Sequence, residues 1–517
     1  MEYKPTIGLE IHVELKTKTK MFCASLNDPE EKRPNVNICP VCMGHPGTLP
    51  VMNKEAVRKV LLVGKAIGGQ LADYCHFDRK NYFYPDIPKG YQISQYKFPL
   101  VSGGELSGVE ITRVHLEEDT GKLSHAEDKS SSLVDFNRAG VPLMELVTEP
   151  CINSAEEARR FAEELQLVLR YLGASDADME KGQMRIEVNI SLAPVVGSGG
   201  KLTSLRTDEE GNPTEAELSS ASSGSDATQN FTLPNLDIKP DLDIKSGKLG
   251  TKVEVKNLNS FRSVERAIEY EIKRQTALLE AGEKVKHETR GWDEGAQKTF
   301  SQREKEMAHD YRYFPDPDLP PLYVSELGFD LILPELPEGK RKRFKEEYGL
   351  KDDQVEIFVG DIKLGNFFES AAKYLQKDIV SVAANYIISD LAGLMTKENI
   401  PIDDLKINPE MFAKLAKLAA GGEISSRGAK DVLKIMFEKG GDPEEIVKEK
   451  GLAQTSDDSF IKNIVEEVIK NNPSVAEDYK KGKENALQFL VGQGMKISKG
   501  SANPEALRKV LKERIAG

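Results

Sequence analysis

Apolar and polar residues alternate strictly through Ile7-Gly8-Leu9-Glu10-Ile11-His12-Val13-Glu14-Leu15, the two-residue period of a half-buried β-strand. Odd positions are apolar, so Glu10, His12 and Glu14 share the opposite face. Two later segments repeat the arrangement. From Met184 to Leu192, the residues Arg185, Glu187, Asn189 and Ser191 alternate with Met184, Ile186, Val188, Ile190 and Leu192, while Val253 and Val255 back Lys252, Glu254 and Lys256. Three such strands predict one sheet with a charged working face.

Helical spacing takes over at two places in the same half of the chain. Asn153-Ser154-Ala155-Glu156-Glu157 carries a Ser-x-x-Glu capping box, and the helix it opens should stop at Gly173. Asn259 or Ser260 starts another, with Phe261, Val264, Ile268 and Ile272 on one stripe until Gly282. Strands followed by covering helices predict an α+β fold rather than a doubly wound sheet. Residues 193–249, rich in Ser, Gly, Asp and Glu, lack apolar periodicity and read as a surface insertion, partly disordered. Beyond Leu322 the pattern is helical. Phe460, Ile461, Ile464, Val465, Val468 and Ile469 form a stripe that reads as a core face, in a C-terminal region of small helical modules.

A chain of 517 residues exceeds a single core, and about two to four domains are expected. The formal charge of -13 excludes wholesale coating by nucleic acid, yet residues 478–517 hold nine Lys/Arg against four Asp/Glu, a basic tail suited to phosphates. The N-terminus has no charged-and-apolar leader and no run approaches a bilayer-spanning length, so a cytoplasmic protein is expected. In that compartment the five cysteines, at 23, 39, 42, 75 and 151, point to reduced thiols or a metal rather than disulfides.

Carboxylates converging with an imidazole are a common way to hold Mg²⁺. The candidates are Glu10, His12, Glu118, Glu145, Glu187 and Glu254; the alternative is a polar sheet face in water. The stretch Phe77 to Asp86 mixes aromatic and charged residues, including Lys80 and Tyr82, and could stack a base and contact phosphate or form a packed β-edge. The run from Asp310 to Asp318, with Arg303 before it, repeats that chemistry; its arginines either clamp a phosphoryl group or pair with Asp. Cys39-Pro40-Val41-Cys42 is a CxxC knuckle, and Cys23 and His45 would complete four zinc ligands. Lys480, Lys481, Lys496 and Lys499 are candidate phosphate contacts, although Gly492 to Gly500 matches no Walker pattern.

Taken in order, the blocks Ile7–Leu15, Cys39–Pro50, Phe77–Gln95, His115–Gly121, Leu133–Pro150, Gly250–Arg262, Thr299–Pro317 and Phe489–Pro504 closely resemble the B subunits of the aspartyl/glutamyl-tRNA(Asn/Gln) amidotransferases. The resemblance implies a cradle-shaped catalytic domain (1–295), a helical domain (296–400) and a YqeY-like tRNA-binding tail (401–517). It implies a glutamine-dependent carbon–nitrogen ligase: ATP and Mg²⁺ activate the side-chain carboxylate of Glu-tRNA(Gln) or Asp-tRNA(Asn), and ammonia made by a glutaminase partner, the A protein of the complex, displaces phosphate. A small third protein, C, would complete a heterotrimer. By resemblance Glu10, His12, Glu118 and Glu254 belong to the Mg²⁺ site, with Glu145 and Glu187 near it, and Lys80 and Tyr82 flank the mouth of an ammonia tunnel.

Two departures from that family stand out. A Cys-x-Cys pair is here Cys23-Ala24-Ser25, which leaves zinc incomplete unless His45 substitutes, and an Asp is replaced by Glu187 in Arg185-Ile186-Glu187-Val188-Asn189. A noncatalytic tRNA-binding scaffold is the competing reading. The catalytic one requires Glu10, His12, Glu118 and Glu254 to converge on one metal. An independent glutaminase is disfavoured, because no Cys-His or Ser-Lys nucleophile arrangement is evident.

Overall fold

The computed structural model describes residues 2–125, 131–195, 249–304, 311–454, 458–498 and 500–516. It divides into two units, Met1–Leu333 and Pro334–Gly517. The first is built on a mixed sheet whose centre is the three alternating segments. Strand β1 (Tyr3–Glu14) pairs antiparallel with β6 (Met184–Pro194) on one side and with β5 (Pro142–Thr148) on the other. Beyond β5 lies β4 (Val109–Glu118), and beyond β6 lies β7 (Val253–Leu258). Next to β7 come β8 (Glu288–Asp293), its parallel partner, and then β9 (Lys298–Glu304).

Between β7 and β8 the chain crosses over through α2 (Phe261–Glu280), which packs against α1 (Ala155–Tyr171). Both helices begin where the capping signals predict. Ser154 Oγ accepts from the Glu157 amide at 3.1 Å, and Glu157 reaches back one residue further than a strict capping box, to the Asn153 amide at 2.9 Å. Ser260 Oγ accepts from Ser263 N at 3.0 Å. Ile7, Leu9, Ile11 and Val13 are at most 1 % exposed, so the apolar face of β1 is fully buried and its polar face is left open. The fold is α+β, as the pattern predicts.

A small antiparallel sheet holds β2 (Asp78–Asn81), β3 (Tyr91–Ser94) and β10 (Phe314–Pro315). The pairing of β9 with β8 and of β10 with β2 corrects the expected boundary at 295. Residues 296–333 complete the first unit because their backbone hydrogen bonds are made there. Strand β6 runs through Pro194, so residues 193 and 194 belong to the sheet rather than to an insertion; residues 196–248 lie outside the described residues.

The second unit is helical. No boundary falls at 400, because helix Pro409–Ala420 packs on helices Ile362–Ala372 and Lys377–Asn385. A separate core, including Ile461, Ile464, Val465, Val468, Leu490 and Leu507, unites the last helices, and the stripe read from sequence is its wall. The helical stretch Lys377–Glu398 is long and apolar enough to cross a membrane by composition, and its Val380, Ala383, Ala384, Ile387 and Leu391 are buried.

Candidate active site and the thiol cluster

Strand register brings the polar faces of four strands into line. His12 lies opposite Glu145 on β5 and Arg185 on β6; Glu145 lies opposite His115 on β4. His12 Nε2 is 3.3 Å from Glu145, 3.7 Å from Glu117 and 3.9 Å from Glu10, and His115 Nε2 is 3.3 Å from the same Glu145 oxygen. Glu10, His12 and Glu145, and likewise His115, Glu117 and Glu145, are grouped closely enough to hold a metal ion. They floor a cleft of about 490 Å³.

The charges in this cleft are crowded. Burial, then the charges of Glu145 and Glu187, raise Glu10 above the usual carboxylate range. Burial alone would lower His12, but its hydrogen bond to Glu145 and the charges of Glu145, Glu117 and Glu10 win, pushing it up to about 9. Glu145, though buried, is held well below the ordinary value by His115 and His12. Two buried atoms here, His115 Nδ1 and Glu117 Oε2, have no hydrogen-bond partner. Clustered carboxylate oxygens with an unmet acceptor fit a hard divalent cation, which would satisfy that acceptor and offset the repulsion.

Cations and aromatic rings rim the cleft. Lys80 stands over the Tyr311 ring at 5.4 Å, and Tyr82, Tyr96, Tyr313, Arg113 and Lys252 share its lining. The charges of Glu117 and Glu145 keep Lys80 protonated despite burial. Tyr82 is raised by burial, so its hydroxyl stays intact. Arg79 pairs with Asp316 at 2.7 Å and Asp318 at 2.9 Å, two carboxylates of the Asp310–Asp318 run.

The expected four-residue convergence does not form. Glu10 and His12 meet as predicted, but Glu118 points away, because β4 alternates and Glu117 takes the cleft side with His115. Glu118 instead pairs with Lys89 at 2.6 Å and accepts from Ile93 N at 3.0 Å. Glu187 and Glu254 line the cleft but are bound: Lys256 lies 2.7 Å from Glu187 and 3.2 Å from Glu254, and Thr289 Oγ1 donates to Glu254 at 2.8 Å. Sequence reasoning missed His115 and Glu117; the signal was there, since both sit two residues apart in Val114-His115-Leu116-Glu117 with the parity of a strand.

Glu118 faces a second cavity of about 200 Å³, lined also by Lys89, Cys23, Cys42 and Gly140. Gly140 has φ +86°, which glycine adopts without strain; a Cβ there would make only ordinary contact, 3.4 Å from Cys42 Cβ and 3.7 Å from Glu118. Cys23, Cys39 and Cys42 cluster as the knuckle predicts, but His45 is outside the group. Beyond the Cys39 backbone, Cys42 Sγ has Lys20 Nζ at 3.8 Å and Ser25 Oγ at 3.9 Å. Three thiols with an ammonium beside them do not fit a closed tetrahedral zinc, which takes four N or S ligands. In the second unit Lys480, Lys481 and Lys496 are exposed, while Lys499 lies outside the described residues.

Comparison with known proteins agrees with this architecture. The profile of the GatB/GatE catalytic domain matches residues 5–208 and 234–329, and that of the GatB domain of YqeY type matches 366–515. The matched segments leave out 209–233, a narrower span than the insertion expected over 193–249. The chain is 43% identical to the aspartyl/glutamyl-tRNA(Asn/Gln) amidotransferase B subunit of Caldicellulosiruptor saccharolyticus, over 100% of this chain and 99% of the relative. It is 42% identical to the proteins of the same name from Carboxydothermus hydrogenoformans (100% and 99% covered) and Thermotoga maritima (100% of both). With two family domains in place and relatives aligned end to end, the chain belongs to the family of aspartyl/glutamyl-tRNA(Asn/Gln) amidotransferase B subunits.

Proposed function

We propose that this chain is the B component of a glutamine-dependent amidotransferase that uses ATP and Mg²⁺ to phosphorylate the side-chain carboxylate of Glu-tRNA(Gln), Asp-tRNA(Asn) or both, and then amidates it with ammonia delivered by a glutaminase partner. The observation that carries the reading is the pair of carboxylate–imidazole groups, half-buried Glu10 and His12 with buried Glu145, and buried His115 and Glu117 with the same Glu145, on the floor of a cation-rimmed cleft. Two anions must meet for phosphoryl transfer, so positive charge between and around them is the main requirement. Glu10, His12 and Glu145 would hold magnesium, which supplies that neutralisation when bound. Lys80 and Arg113 would orient phosphate oxygens, and the sheet floor fixes the carboxylates so that little reorganisation is needed.

Ammonia reacts only as NH₃, so a carboxylate on its route must take a proton from ammonium. Glu118, paired with Lys89 in the second cavity, is suited to that task by facing away from the phosphoryl site. Lys80 and Tyr82 would flank the point of arrival. The tail lysines would contact the tRNA body, and the glutaminase together with a small third protein would complete a cytoplasmic assembly. The scaffold alternative draws on Glu118 and Glu254, which do not join Glu10 and His12 as the catalytic reading required, and on Glu187, which Lys256 engages at 2.7 Å; the catalytic reading stands on Glu145 taking their place beside Glu10 and His12. The deciding experiment is phosphate release by this chain co-purified with those two partners, comparing Glu-tRNA(Gln), Asp-tRNA(Asn) and uncharged tRNA. Release dependent on a mischarged tRNA is expected and identifies the substrate; an assembled, tRNA-binding complex without stimulation would establish the scaffold.

A further inference from the structure

The thiol cluster takes no part in the proposed reaction and does not fit a structural zinc, yet it is carefully held. Lys20 is 0% exposed, and among the described residues no carboxylate lies within ion-pair distance of it. Among the described residues its ammonium meets the Phe136 carbonyl at 3.1 Å and Cys42 Sγ at 3.8 Å. A buried cation without a counter-charge is costly, so the lysine calls for an anion, and the thiolate of Cys42 is the group in position. The Cys39 amide also donates to Cys42 Sγ, at 3.1 Å, as it would to a sulfur bearing negative charge.

Cys39 Sγ lies 3.9 Å from Cys42 Sγ across the CxxC turn, which the Met43 amide closes on the Cys39 carbonyl at 3.0 Å. Cys42 is buried, whereas Cys39 is partly exposed and open to a small oxidant. We propose that Cys39 and Cys42 form a reactive dithiol, held by Lys20 in the place where a metal would otherwise sit, which a low-molecular-weight disulfide such as oxidised glutathione converts to an intramolecular disulfide.

The exchange runs in two displacements. The Cys39 thiolate attacks one glutathione sulfur and expels a glutathione thiolate; the Cys42 thiolate then attacks the Cys39 sulfur and expels the second. Two electrons pass from the protein sulfurs to those of glutathione; the proton lost by Cys39 ends on one released thiol, and the other released thiolate takes its proton from water. In a reducing compartment the bond would be transient, which suits a sensor rather than a staple.

The full chain, purified without oxygen, provides the test. Its metal content is measured first, and it is then titrated with oxidised glutathione and analysed by intact and peptide mass spectrometry. The expected result is no stoichiometric zinc and a product that has lost two hydrogens, mapping to Cys39–Cys42 and reversed by dithiothreitol. Cys42→Ser should instead trap glutathione on Cys39, and Cys151→Ser should behave as the parent. Lys20→Met should slow the closure about tenfold by withdrawing charge from the thiolate. If that variant does not fold, the parent and Cys42→Ser still decide. One zinc per chain that survives dialysis, a bond from Cys23 instead, or thiols that stay reduced would each overturn the proposal.

Discussion

Glu117 and Glu118 are neighbours in the chain with equally buried side chains, 2% and 4% exposed, and they stand in different chemistry. Glu117 faces the cleft, where carboxylates and imidazoles crowd together and one acceptor oxygen has no partner. Glu118 faces a smaller cavity, where both its oxygens are engaged, by Lys89 and by the Ile93 amide. The first region is under-satisfied and suited to taking up a cation; the second is satisfied and needs none. One step along a strand exchanges one environment for the other, which is why an acidic pair in sequence does not make an acidic pair in space.

The two environments should part most sharply at Glu145, the residue that contacts both imidazoles. Glu145→Gln preserves shape but removes the charge, and tRNA-dependent phosphate release should fall about 10²-fold or more. Unchanged release would move the phosphoryl site elsewhere. Glu118→Gln should leave phosphate release within about threefold while lowering amide formation from glutamine by at least about tenfold, as expected for loss of a proton acceptor. Release and amidation falling together would return Glu118 to the phosphoryl site and erase the distinction.

The two units invite smaller tests of the same kind. Leu490, 0% exposed in the C-terminal core, should cost about 2–5 kcal/mol when truncated to alanine. In calorimetry the loss should fall on the tail transition and leave phosphate release per bound tRNA unchanged; a matching loss in the cleft unit would mean that the two share one cooperative core. Replacing Lys480 and Lys481 by alanine should lower the salt dependence of tRNA binding by about one unit of slope for each phosphate no longer neutralised, and an unchanged slope would place the tRNA interface elsewhere. A truncation meant to remove the tail should begin near residue 458, since an earlier cut would remove helix Pro409–Ala420 or the helices Ser426–Lys439 and Pro443–Lys450 that pack on it.

Much of this molecule was legible in the order of its residues. The alternation in β1, β6 and β7 dictated a sheet with one charged face, and Ser154, Gly173, Ser260 and Gly282 marked where its helices begin and end, because burial periodicity and capping are local properties. The family blocks likewise identified the cleft strands. What only the tertiary structure decided was partnership. Register across β1, β4 and β5 selected His115 and Glu117 over Glu118, Lys256 took up Glu187 and Glu254, and Lys20 reached the thiols where His45 did not. A residue's face follows from its own strand, but its partners follow from how far a neighbouring strand has slid and which distant segment closes over it, and neither is written in local spacing.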